Sequence, residues 1–404
     1  MSSFHVFLTS DYLLASLIPL VLFVLSLLIL GNPKDVLEVI FGGSRTRSAV
    51  PGHFSLQRAA ASYAQYTQLA RGELSTMRKS YGGMSWAHRR IGYDLGYTKK
   101  LARLEESIQV NGMVASSIAR LAKEEFPEEM DGAHSGLLRP PIAGDLGRVR
   151  ESLKHFVRDW SQEGCGEREK IFGPILAVLR EADPVMRARM QVLVPGAGLG
   201  RLAWEISELG FRTTANELSF FMNLASRFLL SEKTTQRPNQ HVLQPFSSWF
   251  SHQRTTDTLF RSVSFPDVVP RLSDHLVLAE KDFLSIRPPE GSDGFDFVVT
   301  LFFIDTSLNV IETIEHIHSL LRPGGQWINL GPLLWTGGGQ AAVELSLEEV
   351  LKLAEMLGFD VSDDHAPQHL RPRTVECEYT ADQTAMMKWL YQAEFWVATK
   401  RLLQ

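Results

Sequence analysis

The feature that most constrains this chain is a glycine-spaced turn at the end of a short apolar run. Gln191-Val192-Leu193-Val194 leads directly into Pro195-Gly196-Ala197-Gly198-Leu199-Gly200-Arg201. Glycines at alternate positions let the backbone turn sharply and approach a ligand closely, and a helix starting near Leu199 presents unpaired N–H groups to it. After about Met190 the apolar runs are short and alternate with helical segments: Gln191–Val194, Thr213–Ala215, His275–Ala279, Phe295–Leu301 and Gln326–Leu330. Strand-like runs separated by helices predict a parallel sheet with helices on its faces, a Rossmann-like α/β fold. Ligands on such sheets sit beyond the C-terminal strand ends.

The residues at those ends have the chemistry of a nucleoside site. A dinucleotide loop of the form G-x-G-x-x-G would need a small residue at position 201, which is Arg201. The G-x-G-x-G spacing of Gly196, Gly198 and Gly200 suits S-adenosylmethionine instead, a cofactor with no pyrophosphate to cradle. Asn216-Glu217 ends the second run, where a carboxylate can accept both ribose hydroxyls; helix capping by the Asn-Glu pair is the alternative. Lys281-Asp282-Phe283 follows the third, with Asp282 placed to accept an adenine amino group and Phe283 to pack on the ring. Phe302-Phe303-Ile304-Asp305 follows the fourth, and Leu321-Arg322-Pro323-Gly324-Gly325 predicts a turn before the fifth. Asp305 reads either as a group facing the acceptor or as the N-cap of a helix from Ser307 to Leu321.

Upstream, Leu13–Leu30 carries no charge, and its eighteen residues span roughly 27 Å as a helix, enough for a hydrocarbon core. Only Asp11 precedes the run, whereas Lys34, Arg45, Arg47 and Arg58 follow it. This asymmetry predicts a single-pass membrane protein with the catalytic domain facing the cytosol; a buried apolar helix of the soluble domain is the alternative reading of the run. The expected organisation is an anchor over 1–31, a linker over 32–50, a helical region over 51–145 broken at Gly82-Gly83, and a cofactor-binding domain over 146–404. Leu146, Val149, Leu153, Phe156, Val157 and Trp160 predict an amphipathic helix that carries His155 and Arg158 on one side. Glu124–Asp131 reads as an acidic surface loop. The aromatic stretch 231–274, without periodicity, reads as an insertion over the pocket or as a disordered loop. A net charge of −5 offers no basic footprint for nucleic acid. Cys165 and Cys377, the two cysteines, form no framework, and the twelve histidines have no metal-ligand spacing, so no metal is expected.

These residues resemble the carnosine N-methyltransferase family. The likeness is carried by VLVPGAGLGRLAWEIS from Val192, NELSFFMNLASRFLL from Asn216, FFIDTSLNVIETI from Phe302 and LRPGGQWINLGPLLW from Leu321, with HFVRDWS, SFPDVVP and AMMKWLY. It runs from roughly Gly52 to the end. The resemblance implies a class I methyltransferase sheet and S-adenosylmethionine contacts at Arg158, Gly196, Glu217, Asp282, Phe283 and Phe297, with His155 where the family has glutamine. On the acceptor side it implies Asp305 and Tyr391, and it places Thr336 where the family has histidine. Asp305 would hold a ring N–H and Tyr391 would orient the acceptor. The expected acceptor is a small peptidic or imidazole-containing molecule. Two other readings stand beside it: an N-methyltransferase acting on an amine of a peptide-derived secondary metabolite, and a membrane-tethered scaffold that keeps the fold without catalysis.

Overall fold

The computed structural model describes residues 52, 54–131, 143–335 and 341–402. Contacts divide the chain into two units, Met1–Gly52 and His53–Gln404. The expected anchor Leu13–Leu30 and the linker 32–50 lie outside the described residues. Among the described residues, no helix is long and apolar enough to cross a membrane.

The second unit begins with helices α1 (Leu56–Ala64), α2 (Tyr66–Gly82), α3 (Trp86–Asp94) and α4 (Tyr97–Glu125). Ser55 and Ser85 cap α1 and α3 by accepting from the N–H groups of Arg58 and His88, which satisfies one of the orphan donors at each start. The glycine break falls where expected, with α2 ending at Gly82. α4 buries Leu101, Leu104, Ile108, Ala115, Ile118 and Ala122, one stripe at helical spacing. The segment read as an acidic loop is helical instead: α4 runs through Glu125, and Pro127–Asp131 forms a further short helix. Glu128 and Glu129 stand in that helix's first turn, where negative charge is favoured.

Helix α5 (Ala143–Trp160) buries Leu146, Val149, Leu153, Phe156 and Trp160. Asp145 near its start is fully buried and holds Arg58 by two hydrogen bonds of 3.1 and 2.9 Å, and Arg148 by one of 2.8 Å. Helix α6 (Cys165–Arg180) then leads into the sheet.

The strands, in chain order, are β1 (Gln191–Pro195), β2 (Arg212–Asn216), β3 (His241–Leu243), β4 (Val263–Phe265), β5 (Leu276–Ala279), β6 (Phe295–Leu301), β7 (Leu321–Gly331), β8 (Phe359–Val361), β9 (Arg373–Cys377) and β10 (Tyr391–Lys400). The helices among them are α7 (Arg201–Glu208), α8 (Phe220–Leu230), α9 (Val310–Leu320) and α10 (Leu347–Met356). The main sheet has the order β5-β2-β1-β6-β7-β10-β8, with β9 paired to β10. Neighbours from β5 to β7 are parallel, and β10 is antiparallel to both β7 and β8. The order reverses between β1 and β6, the place where such sheets open a ligand crevice.

Alternation along the central strands sorts side chains between two faces. Val192 and Val194 pack with Ile171, Ile175 and Ile206 of α6 and α7, while Leu193 and Val298 pack with Ile314, Ile317, Val350 and Ala354 of α9 and α10. Helices α1, α2, α4 and α5 form a third cluster with Phe221, Leu224 and Phe228 of α8.

One further expectation is corrected. Arg322–Gly325 is not a turn ahead of the fifth strand but an irregularity inside β7: Phe295 pairs with Leu321 and Phe297 with Gln326, so the four residues between are taken up as a bulge. The 231–274 stretch, read as an insertion over the pocket or as a disordered loop, is described throughout. It contains the β3–β4 hairpin and a short helix, Thr256–Leu259. It packs on the N-terminal helices, with Phe265 stacked on Phe156 and Asn111 of α4 bonding both the N–H and the carbonyl of Gln244.

Candidate active site

The strand tips do converge. Gly196, Gly198 and Gly200 all adopt positive φ, at 65°, 57° and 77°, where any L side chain is strained. Gly196 is closed on a second ground, since a Cβ there would stand 2.6 Å from the ring of Phe303. The loop is tied to β2 by the Ala197 N–H, which donates to the Asn216 carbonyl at 2.9 Å.

Glu217 turns its carboxylate back to this loop. Oε2 accepts from the Gly198 N–H at 3.0 Å and Oε1 from the Ser219 N–H at 2.8 Å. The carboxylate is thereby held in a fixed orientation, and its two oxygens offer more acceptor sites than these backbone N–H groups fill. Burial pushes this carboxyl above its ordinary range, against the pull of the backbone N–H groups. Asn216 is not a helix cap: its Nδ2 donates to the carbonyls of Ala279 and Lys281 at 2.8 and 2.7 Å, stitching the β2 tip to the β5 tip. Asp282 follows immediately, and its Oδ1 accepts from the Leu284 N–H at 3.0 Å. Phe283 is buried edge-on between Phe303 and His316, at ring distances of 5.2 and 4.9 Å.

The end of α5 brings in charge. Arg158 is 9% exposed and donates from Nε and Nη2 to both oxygens of Asp159, at 2.7 and 3.2 Å. Its guanidinium also lies 4.8 Å from the ring centre of Tyr379. Burial alone would raise the Asp159 carboxyl, but Arg158 and His155 outweigh it and hold it well below the usual carboxylate range. His155 is buried, with Nε2 3.4 Å from the Tyr379 hydroxyl and Nδ1 3.6 Å from Asp159. Desolvation, reinforced by the Arg158 charge, pushes its imidazole below the usual value and toward the neutral form.

Asp305 stands beyond the tip of β6. Phe302, at φ 50°, bends the chain there, and Ile304–Thr306 forms a single 3-10 turn. Asp305 is 4% exposed, and its Oδ2 accepts from the Leu334 N–H at 2.9 Å. Burial pushes its carboxyl above the ordinary range, more than those N–H contacts pull it down. It does not cap the following helix, because α9 begins at Val310 and Asn309 fills that role. Tyr391, the first residue of β10, meets Phe302 edge-on at 5.8 Å, and Tyr379 meets the same ring at 4.9 Å. Phe302 thus joins the α5 cluster to the Asp305 side.

Of the residues expected from sequence, Gly196, Gly198, Gly200, Glu217, Asp282 and Phe283 form one rim, and His155, Arg158, Asp305 and Tyr391 border it. Phe297 falls elsewhere. It lies in the body of β6, paired with Val192 and edge-on to Phe211 at 6.0 Å, inside the core beneath α7. Thr336 lies outside the described residues. Sequence reasoning missed Asp159, Tyr379 and Phe303. Asp159 follows Arg158 directly and was available as an i, i+4 partner of His155. Tyr379 stands in a segment without periodicity, and only the fold brings it near.

Residues 138–402 match the family model for carnosine N-methyltransferase. A carnosine N-methyltransferase of Schizosaccharomyces pombe is 32% identical over 365 residues, covering 85% of this chain and 94% of the relative. One from Mus musculus is 34% identical over 297 residues, covering 71% and 70%. Among solved structures, a TehB-like SAM-dependent methyltransferase from Corynebacterium glutamicum is similar at 13% identity and a TM-score of 0.31, over 57% of this chain and 89% of that one, a likeness too slight to carry weight. The family match extends over the strand-tip residues and both flanks of the crevice. The chain is therefore a methyltransferase and belongs to the carnosine N-methyltransferase family.

Proposed function

We propose that the protein methylates a nitrogen of a small, imidazole-containing peptidic acceptor of the carnosine kind, with S-adenosylmethionine as donor. The observation that carries this reading is the placement of two carboxylates, half-buried Glu217 and buried Asp305, beyond the tips of β2 and β6 on either side of the positive-φ glycine loop. The residues present fit the donor. The crowding that closes Gly196 to a side chain leaves backbone at the crevice wall, and the fixed Glu217 carboxylate suits paired ribose hydroxyls. Asp282 and Phe283, at the β5 tip, would face the adenine, and His155 and Arg158 would border the donor from the end of α5.

The donor supplies a methyl group activated on a sulfonium. The protein's share of the work is alignment. An imidazole, with an ordinary pKa of about 6.5, is mostly neutral at neutral pH and needs no strong base. Asp305, accepting a hydrogen bond from one ring N–H, fixes the tautomer and turns the other nitrogen toward the methyl group. The same carboxylate stabilises positive charge developing on the ring, an interaction strengthened by its burial. Tyr391, reached through Phe302, orients the acceptor. Thr336, where the resemblance places histidine, leaves an amine of a peptide-derived metabolite as the second acceptor class.

The test separates donor from acceptor. Asp305→Ala abolishes product measured by mass spectrometry, while calorimetric affinity for S-adenosylhomocysteine stays within about threefold of wild type. Normal turnover by this variant contradicts the assignment of Asp305.

A further inference from the structure

Behind the glycine loop, outside the crevice, stands a carboxylate shared by two buried arginines. Asp267, in the loop after β4, accepts from Arg168 Nη2 through Oδ2 and from Arg201 Nη1 through Oδ1, each at 2.6 Å. Oδ1 also accepts from the Val268 N–H, and the Asp267 N–H donates to the Trp160 carbonyl at 2.8 Å.

Both arginines reach onward to the end of α5. Arg168 Nη1 donates to the carbonyls of Arg158 and Ser161 at 2.6 and 2.8 Å, and Arg201 Nη1 donates to that of Asp159 at 3.2 Å. Arg201 immediately follows Gly200 and opens α7. Trp160 adds a parallel strap, its Nε1 donating to the Leu199 carbonyl at 3.0 Å. The backbone of Arg158 and Asp159 is therefore fastened to the glycine loop through guanidinium groups whose charge Asp267 balances. Arg168 and Arg201 are 5% and 9% exposed; Arg201 also holds Glu205 through Nε at 2.8 Å, so losing the Asp267 carboxylate leaves Arg168 above all poorly compensated in a dry setting.

We propose that Asp267 is a positioning residue for donor binding: through Arg168 and Arg201 it sets where Arg158 stands relative to Gly198 and Glu217. This rests on the donor assignment above. A shift of about an ångström in such a strap is enough to spoil alignment by an order of magnitude or more.

The experiment is titration calorimetry of the full chain with S-adenosylhomocysteine, in Asp267→Asn and in a control, Asp296→Asn. Asp296 makes an equally close pair, accepting from Arg322 Nε and the Gln191 N–H at 2.7 Å each, but it does so at the opposite ends of the strands. Both variants lower the melting temperature. Only Asp267→Asn raises Kd for S-adenosylhomocysteine, by about tenfold or more, with kcat at saturating donor within about threefold and partial recovery in Asp267→Glu. A wild-type Kd in Asp267→Asn, or an equal rise in Asp296→Asn, overturns the proposal. If Asp267→Asn does not fold, Arg168→Lys, which keeps the charge but loses the fork, shows the same direction of change, and a wild-type Kd there is equally fatal. Wild-type protein that binds no S-adenosylhomocysteine overturns the donor assignment, and this link with it.

Discussion

Glu217 and Asp305 are carboxylates held above their ordinary pKa by burial, and such groups cost stability when ionised. The sign matters. A carboxyl whose folded pKa exceeds its unfolded value of about 3.9 weakens the fold above the folded pKa, and the penalty vanishes below the unfolded one. Asp305→Asn is therefore expected to melt higher than wild type at pH 7 while losing methylation, with the gap closing as the pH falls toward 4. Thermal melts at several pH values check this. A wild-type protein more stable than Asp305→Asn at pH 7 contradicts the burial account. Asp305 was legible in the sequence because it follows an apolar run at a strand end. Asp159 was legible only as an i, i+4 partner of His155, and Tyr379 was not, since a ring from a distant loop leaves no periodic signal.

At the scale of elements, the expected strand cores were found, and their ends moved by up to a few residues. The largest change is β7, which starts at Leu321 because a bulge absorbs Arg322–Gly325 rather than ending the ladder. Local turn chemistry alone could not show that pairing resumes on both sides. The 231–274 stretch was opaque because its order comes from packing: Phe265 on Phe156, and Gln244 on Asn111. Phe156 is fully buried in α5 and touches both the hairpin and Phe228 of α8. Phe156→Ala should therefore cost about 3–5 kcal/mol, read by urea unfolding, and should loosen the hairpin and α5 together. A loss below about 1 kcal/mol would mean that the hairpin is not anchored through this ring.

For the whole molecule, sheet order and strand direction decide which chemistry can occur. Five parallel strands with a reversal between β1 and β6 place the glycine loop, Glu217, Asp282 and Asp305 at one end of the sheet. Phe297 shows the limit of carrying a role by position alone: two residues into β6, it faces the core. The apolar run Leu13–Leu30 is proposed to tether the protein to a membrane. Removing residues 1–45 should move the protein from the membrane to the supernatant after sedimentation, with methylation retained. Unchanged partitioning would remove the anchor from the account.

The claim on which everything else depends is that the strand tips hold the donor through Glu217. Calorimetry of S-adenosylhomocysteine with wild type and Glu217→Ala tests it most directly. Wild type is expected to show one donor site per chain, and the variant a loss of affinity of at least about a hundredfold, the order expected for removing a bidentate charged acceptor. Equal affinity in the two proteins, with the fold intact, would contradict it.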